Sequence, residues 1–241
     1  MKILQLTLND AAADVALDEA LLEQAETGSG GQELLRLWEP EKTMVVLGRS
    51  SPYSTEVNDS FCSQRKIPVI RRCSGGSAIV TGEGVLMYAA LLSYELRPEL
   101  KAIDTAHEFV MNKLCSALKR LNIDTKLQGI CDLTLANRKV SGNALRCKRN
   151  WMVYHGTLLC AGADTGLIAN CLGTPKRQPE YRLHRDHFDF ITTLPASTTQ
   201  VALAMKDEWN CDSELSSWPE ILTHTLVDEK YSLEEWTKKV P

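Results

Sequence analysis

Strand-like and helix-like stretches alternate along this chain, and no linker interrupts them. A strand buries every second residue and a helix buries a stripe, so the alternation closes only by packing helices on a mixed sheet around a shared core. Residues 3–8 alternate like a strand. Asn9 or Asp10 offers a cap to a helix over 11–25, with Val15, Leu17, Leu21 and Leu22 as its apolar positions. Strands are predicted at 33–38 and 43–47 around a turn at Pro40, and again at 67–71, 78–80 and 86–92. Asp104 is the expected cap of a second helix, in which Val110, Met111, Leu114, Leu118 and Leu121 share one face. Strands at 132–136, 138–141 and 154–160 follow, with a basic loop at 148–150 and then helices at 163–172, 197–209 and 216–226. The expected fold class is α/β (α+β), a mixed sheet with helices packed on it, in a single domain over residues 1–241.

With 241 residues, 44% of them hydrophobic, the chain can fill one sizeable core. The nearest thing to a linker, Thr27-Gly28-Ser29-Gly30-Gly31, comes too early to divide two cores and reads as a surface loop. A formal net charge of -4 argues against a nucleic-acid protein. The cations are nevertheless bunched: Arg138, Lys139, Arg146, Lys148 and Arg149 form one cluster, and Lys176, Arg177, Arg182 and Arg185 another. Such clusters suit an anionic ligand or an acidic partner surface, or else form a solvated face. The eight cysteines include no CxxC pair and fit no zinc spacing. The first residues turn polar too soon for a signal peptide, and the longest apolar run, 85–92, is too short to cross a bilayer. Reduced thiols in a cytoplasmic protein without membrane contact are expected.

Three segments carry candidate chemistry. In Ile70-Arg71-Arg72-Cys73-Ser74-Gly75-Gly76-Ser77-Ala78, two glycines let backbone N–H groups approach a ligand, and adjacent arginines offer planar donors for phosphate or carboxylate. In Cys131-Asp132-Leu133-Thr134-Leu135-Ala136-Asn137-Arg138-Lys139-Val140-Ser141-Gly142-Asn143-Ala144, strand alternation puts Lys139 and Ser141 on one face, ahead of a glycine where a side chain would obstruct a ligand. In Tyr154-His155-Gly156-Thr157-Leu158-Leu159, His155 and Thr157 share a face beside Gly156. Each also has a plain structural reading: a turn after a strand, a surface lysine on an edge strand, a packed histidine.

Taken together and in this order, the segments resemble the lipoate–protein ligase family. Further matching stretches are Ala16-Leu17-Asp18-Glu19-Ala20-Leu21-Leu22, Leu35-Arg36-Leu37-Trp38-Glu39-Pro40, Val45-Val46-Leu47-Gly48-Arg49 and Glu56-Val57-Asn58. The resemblance covers roughly residues 10 to 195. It implies a catalytic domain of the biotin/lipoate protein ligase type. Such ligases condense lipoate with ATP to lipoyl-adenylate, then pass the acyl group to a lysine of a lipoyl-domain carrier. Related octanoyltransferases take the acyl group from a thioester instead.

By this resemblance Lys139 is the active-site lysine, its ammonium stabilising negative charge that builds at the acyl carbonyl and phosphate. Arg71, Ser74, Gly75, Gly76 and Ala78 match the loop that binds the acyl substrate. Asp132 matches an acidic residue near the adenylate, with Ser141, Gly142 and Ala144 on its neighbouring strand and His155, Gly156 and Thr157 on the next. The implied cofactors are ATP and Mg²⁺ with lipoate or octanoate as substrate; no metal ligands are assigned. The implied partner is a lipoyl-domain carrier with an acidic surface. No accessory C-terminal domain is evident, which leaves three alternatives: a separate accessory protein, a domain dispensable here, or a protein that does not use ATP.

The chain departs from the ligase pattern at Ser77, where a third glycine is usual, at Thr81-Gly82, where His-Asp is usual, and at Cys131, where Asn is usual. Cys131 therefore admits a second reading: a thiolate made acidic by Lys139 and Arg71, acting as nucleophile in thioester-dependent transfer. A third reading is a non-catalytic module that holds lipoate or a lipoyl domain.

Overall fold

The computed structural model describes residues 1–28, 31–173 and 178–240. Ser29 and Gly30 of the expected surface loop, and Lys176 and Arg177 of the second basic cluster, lie outside the described residues. The strands are β1 (Lys2–Gln5), β2 (Leu34–Trp38), β3 (Met44–Leu47), β4 (Val69–Arg71), β5 (Ile79–Thr81), β6 (Val85–Ser93), β7 (Lys126–Gln128), β8 (Asp132–Leu135), β9 (Arg138–Ser141), β10 (Asn143–Cys147), β11 (Trp151–Leu159) and β12 (Ser213–Glu214). The helices are α1 (Ala11–Glu26), α2 (Tyr53–Glu56), α3 (Asp59–Gln64), α4 (Ile103–Lys119), α5 (Thr165–Cys171), α6 (His187–Phe190), α7 (Thr198–Glu208), α8 (Glu220–Leu226) and α9 (Glu234–Thr237).

A six-stranded mixed sheet runs in the order β10-β11-β6-β2-β1-β12. Its centre is the antiparallel pair β6 and β11, matched residue for residue from Val85 opposite Leu159 to Ser93 opposite Trp151. Strand alternation sends Tyr88, Ala90, Leu92, Met152 and Tyr154 to one face, beneath α4 and α7. It sends Ala89, Leu91 and Val153 to the other, against Leu17, Leu21 and Leu22 of α1. Helices thus cover both faces, which is why β6 is buried throughout and reads as an unbroken apolar run. Two smaller sheets, β4-β3-β5 and β7-β8-β9, stand beside the large one.

Local chemistry explains the helix starts. Asp10 accepts from the Ala13 N–H and begins α1, and Ser197 with Gln200 forms a capping box at α7. The expected cap at Asp104 is corrected: the cap position of α4 is Ala102, and Asp104 lies inside the first turn, where its charge still complements the helix dipole. The basic loop at 148–150 is the hairpin between β10 and β11, closed by Lys148 N–H donating to Trp151 O at 2.8 Å. No helix among the described residues is long and apolar enough to cross a membrane.

Candidate active site

The three sheets meet around a cleft of about 950 Å³. Val15 of α1, Trp38 of β2, Val46 of β3 and Met87 of β6 give it an apolar wall. Asp18, Arg72, Asp132, Lys139, His155 and Tyr181 give it the polar one. A second cavity of about 130 Å³, mostly apolar and bounded by Ile168, Leu172, Phe190 and Ile191, adjoins it. Lys139, Gly142 and Ala78 line both.

Lys139 is placed by its strand. β9 pairs with β8 through a bulge, Val140 packs into the core, and Lys139 O accepts from Thr192 N–H at 2.9 Å. The ammonium is 2.7 Å from Asp132 Oδ1, and Tyr181 donates its hydroxyl to the other carboxylate oxygen at 2.8 Å. A Cβ at Gly142 would sit 3.0 Å from Lys139 Cε and 3.1 Å from Nζ, so the glycine keeps that space free for the amine.

The diglycine turn is held by a hydrogen-bonded line from α1. Asp18 Oδ2 lies 2.8 Å from His155 Nδ1, and His155 Nε2 lies 2.5 Å from Ser74 Oγ. With its proton on Nδ1 facing Asp18, the imidazole accepts from Ser74 at Nε2. Burial pushes the Asp18 carboxyl toward protonation, but the bond from His155 and the charge of Arg36 outweigh it and hold the group below its usual range. Gly76 has φ +83°, a conformation that glycine adopts without a Cβ clash. Among the described residues, the backbone N–H groups of Gly75 and Gly76 find no acceptor.

The two adjacent arginines point opposite ways. Arg72 lines the cleft, donating to Ser74 Oγ at 3.0 Å, Val46 O at 3.0 Å, Ser77 O at 3.0 Å and, closer still, Gly75 O. None of these is a carboxylate, and burial pulls the guanidinium down to about 10. An uncompensated cation beside unpaired N–H groups draws an anion to this end of the cleft. Arg71, the residue singled out from the sequence, is turned away and fully buried among backbone carbonyls.

The other sequence-derived candidates divide three ways. Asp132, Gly76, Ala144, His155 and Gly156 line the large cleft, whereas Ser141 and Thr157 line the small one. Ser74 sits behind the wall through its bond to His155, and Gly75 is on the exposed side of the turn. The acidified thiolate at Cys131 is corrected. Burial, then the charge of Asp132, pushes its thiol up to about 11, more than Lys139 offsets, and it is engaged at 3.1 Å with Asn143 O. Burial likewise pushes Cys73, Cys160 and Cys171 up to about 12, and all eight cysteines are unpaired. Asp18, Asn143 and Tyr181 carry no role in the sequence reading, and of the two arginines named there as planar donors only Arg71 is assigned to the site. For Asp18 a signal exists: two acids at i and i+4, Asp14 and Asp18, enclose the apolar stretch Val15-Ala16-Leu17.

Residues 10–194 match the lipoyl protein ligase A/B catalytic domain. The chain belongs to that family. Lipoate–protein ligase 1 of Staphylococcus aureus is 26% identical over 164 residues, which cover 68% of this chain and 48% of that protein. This lipoyl ligase-family chain spans about half the length of the curated relatives it matches. In three dimensions it is similar to a chain of an archaeal lipoylation system, described as a bi-partite lipoate protein ligase and its E2 lipoyl domain from Thermoplasma acidophilum (TM-score 0.80, 19% identity, covering 100% of this chain and 96% of that one). It is also similar to a lipoate-protein ligase A bound with ATP (TM-score 0.78, 21% identity, 100% and 99% covered). The lipoyl ligase fold is thereby established for this chain.

Proposed function

We propose that this domain activates lipoate with ATP to lipoyl-adenylate and transfers the lipoyl group to a lysine of a lipoyl-domain carrier protein. The observation that carries the reading is the position of one ammonium, Lys139, at the junction of a long apolar cleft and a smaller pocket. An acyl chain fits the cleft wall of Val15, Trp38, Val46 and Met87, and its carboxylate meets Arg72 and the free N–H groups of the diglycine turn. That carboxylate attacks the α-phosphate and pyrophosphate leaves. The carrier amine then attacks the acyl carbonyl and AMP leaves. Lys139 stabilises the charge that gathers on oxygen in both steps by exchanging Asp132 for the reacting groups.

Among the described residues no cluster of three or more His, Cys, Asp or Glu could hold a metal ion. Mg²⁺ would enter with ATP, where it would neutralise phosphate charge, and Asp132 beside Lys139 is the carboxylate proposed to face it. The relatives' names and the ATP-bound neighbour support this reading. The carrier is proposed to dock by an acidic surface against the half-buried Arg138 and the exposed Arg149, with a separate accessory protein assisting adenylation, in the cytoplasm.

Lipoate-dependent ATP–pyrophosphate exchange is the test, run with and without candidate accessory proteins. Exchange is expected; its absence in every combination rejects the adenylating role. Thioester-dependent transfer through Cys131 is disfavoured by the protonated thiol. Cys131→Ser is expected to keep transfer within about twofold of the unsubstituted chain, read by mass spectrometry of the carrier. An acyl group trapped on Cys131 would reverse that judgement.

A further inference from the structure

The segment from Glu220 onward lies outside the stretch that matches the family, yet it is built into the back of the site. Its contact nearest the diglycine turn is Arg71. The guanidinium donates to Thr237 O at 2.7 and 2.9 Å and to Trp236 O at 3.1 Å. The bond is returned: Trp236 Nε1–H donates to Arg71 O at 2.8 Å. On its other side Arg71 donates to Gly48 O at 2.7 Å and Ser51 O at 2.8 Å.

Those two carbonyls belong to the loop that grips the diglycine turn. Arg49 N–H donates to Ser74 O at 2.7 Å, and Ser51 Oγ donates to Gly76 O at 2.9 Å. The contact is close enough that a Cβ at Gly48 would stand 1.7 Å from Gly76 O. A continuous line therefore runs from Trp236 and Thr237 through Arg71 and residues 48–51 to the turn. Arg72 is one peptide unit away from the middle of that line, so a shift of Arg71 moves Arg72 by a similar amount.

We propose that Arg71 is a positioning residue: it couples the carboxy-terminal segment to the diglycine turn and so sets where Arg72 and the turn's N–H groups meet the acyl carboxylate. The chemistry requires a guanidinium. Four carbonyls within 3.1 Å, and that of Arg49 at 3.4 Å, need the planar fork of donors, and an ammonium has only three rotatable ones. The segment is secured from outside as well. Lys239 Nζ lies 3.3 Å from the centre of the Trp236 ring and Lys230 Nζ 4.3 Å from it, while Lys230 pairs with Glu19 at 2.6 Å. Glu19 neighbours Asp18 on α1, so the same segment braces the line through His155 to Ser74.

The kinetic part of the test rests on the ligation reading; the structural part does not. Trp236→Phe keeps the ring beneath the ammoniums and removes one donor, and Arg71→Lys keeps the charge and removes the fork. Trp236→Phe is expected to raise KM for lipoate about fivefold with kcat within twofold, as for one lost hydrogen bond. Arg71→Lys should raise it further, and if that variant fails to fold Trp236→Phe decides alone. Amide hydrogen exchange at Arg72 and Ala78, the amides of residues 72–78 that have acceptors, should quicken in both variants while α4 stays protected. Unchanged exchange at Arg72 and Ala78, exchange quickened uniformly over the chain, or local quickening with an unaltered KM overturns the proposal. Should the unsubstituted chain not turn lipoate over, the exchange pattern decides alone, and that failure belongs to the ligation reading.

Discussion

Lys139→Ala is expected to lower lipoyl transfer by at least about 10³-fold while carrier binding persists, because the group removed acts chiefly where charge develops in the transition state. Among the described residues no other ammonium lines either cavity, and the lysine is the charged side chain common to both. Arginine is a poor substitute: its planar fork is wider than the space beside Gly142, whose missing Cβ leaves room for a slim amine at about 3 Å. The resting partner of Lys139 sharpens the forecast. Asp132 holds the ammonium at 2.7 Å, and both side chains are largely shielded, so the amine is aimed before substrate arrives. Single-turnover transfer, measured with saturating carrier, reads the loss. Transfer at the ordinary rate by the alanine variant would falsify the mechanism.

The largest expected effect on stability belongs to Arg36. This side chain is fully buried and bonds Asp14 Oδ1 at 2.7 Å and Asp18 Oδ1 at 2.8 Å, with Asp14 O at 2.7 Å as a third acceptor. It also stacks 4.6 Å from the centre of the Trp38 ring. Arg36→Met fills part of the space but leaves two buried carboxylates facing each other, a loss of about 3–5 kcal/mol. The pH dependence follows from Asp14. Burial, opposed by Arg36, raises its carboxyl to about 6. A carboxyl whose folded pKa exceeds its unfolded one stabilises the fold at low pH and loses that contribution as pH rises through the folded value. Without Arg36 this bias strengthens, and Asp18 loses one of the groups that hold it low. The methionine variant should therefore be closer to the unsubstituted protein in urea denaturation at pH 5 than at pH 8. An equal deficit at both would mean the carboxylates do not carry the effect.

Much of the scaffold could be read from periodicity. α1, α4 and α7 each have strong caps or a one-sided apolar stripe, and β6 announces itself by composition. β10 escaped because it is an outer strand with half-exposed residues, so Arg146 and Cys147 alternate with nothing buried. The short helices α2, α3 and α6 have four to six residues, too few to show a period, and exist because tertiary contacts close them. At the site, Lys139, Asp132 and His155 were recognisable from family resemblance rather than from pattern. The choice between Arg71 and Arg72 was not, since neighbouring residues at a strand end face opposite ways and the sequence does not say which way is inward. Asp18 was concealed because a helix reading treats an acid as surface, whereas here it is matched by Arg36 and His155 from two distant strands.

The protonated sulfurs have a consequence for how such a protein meets oxidants and electrophiles. Peroxides and alkylating agents attack thiolates, and Cys73, Cys131, Cys160 and Cys171 are all kept in the neutral form by burial. On the proposed adenylating mechanism, Cys131, which lines the cleft, would thereby be kept from capturing the acyl group in place of the carrier amine. Cys147, exposed on the outer strand β10, is left as the accessible handle for a maleimide dye, on an edge where a label would report on an approaching carrier.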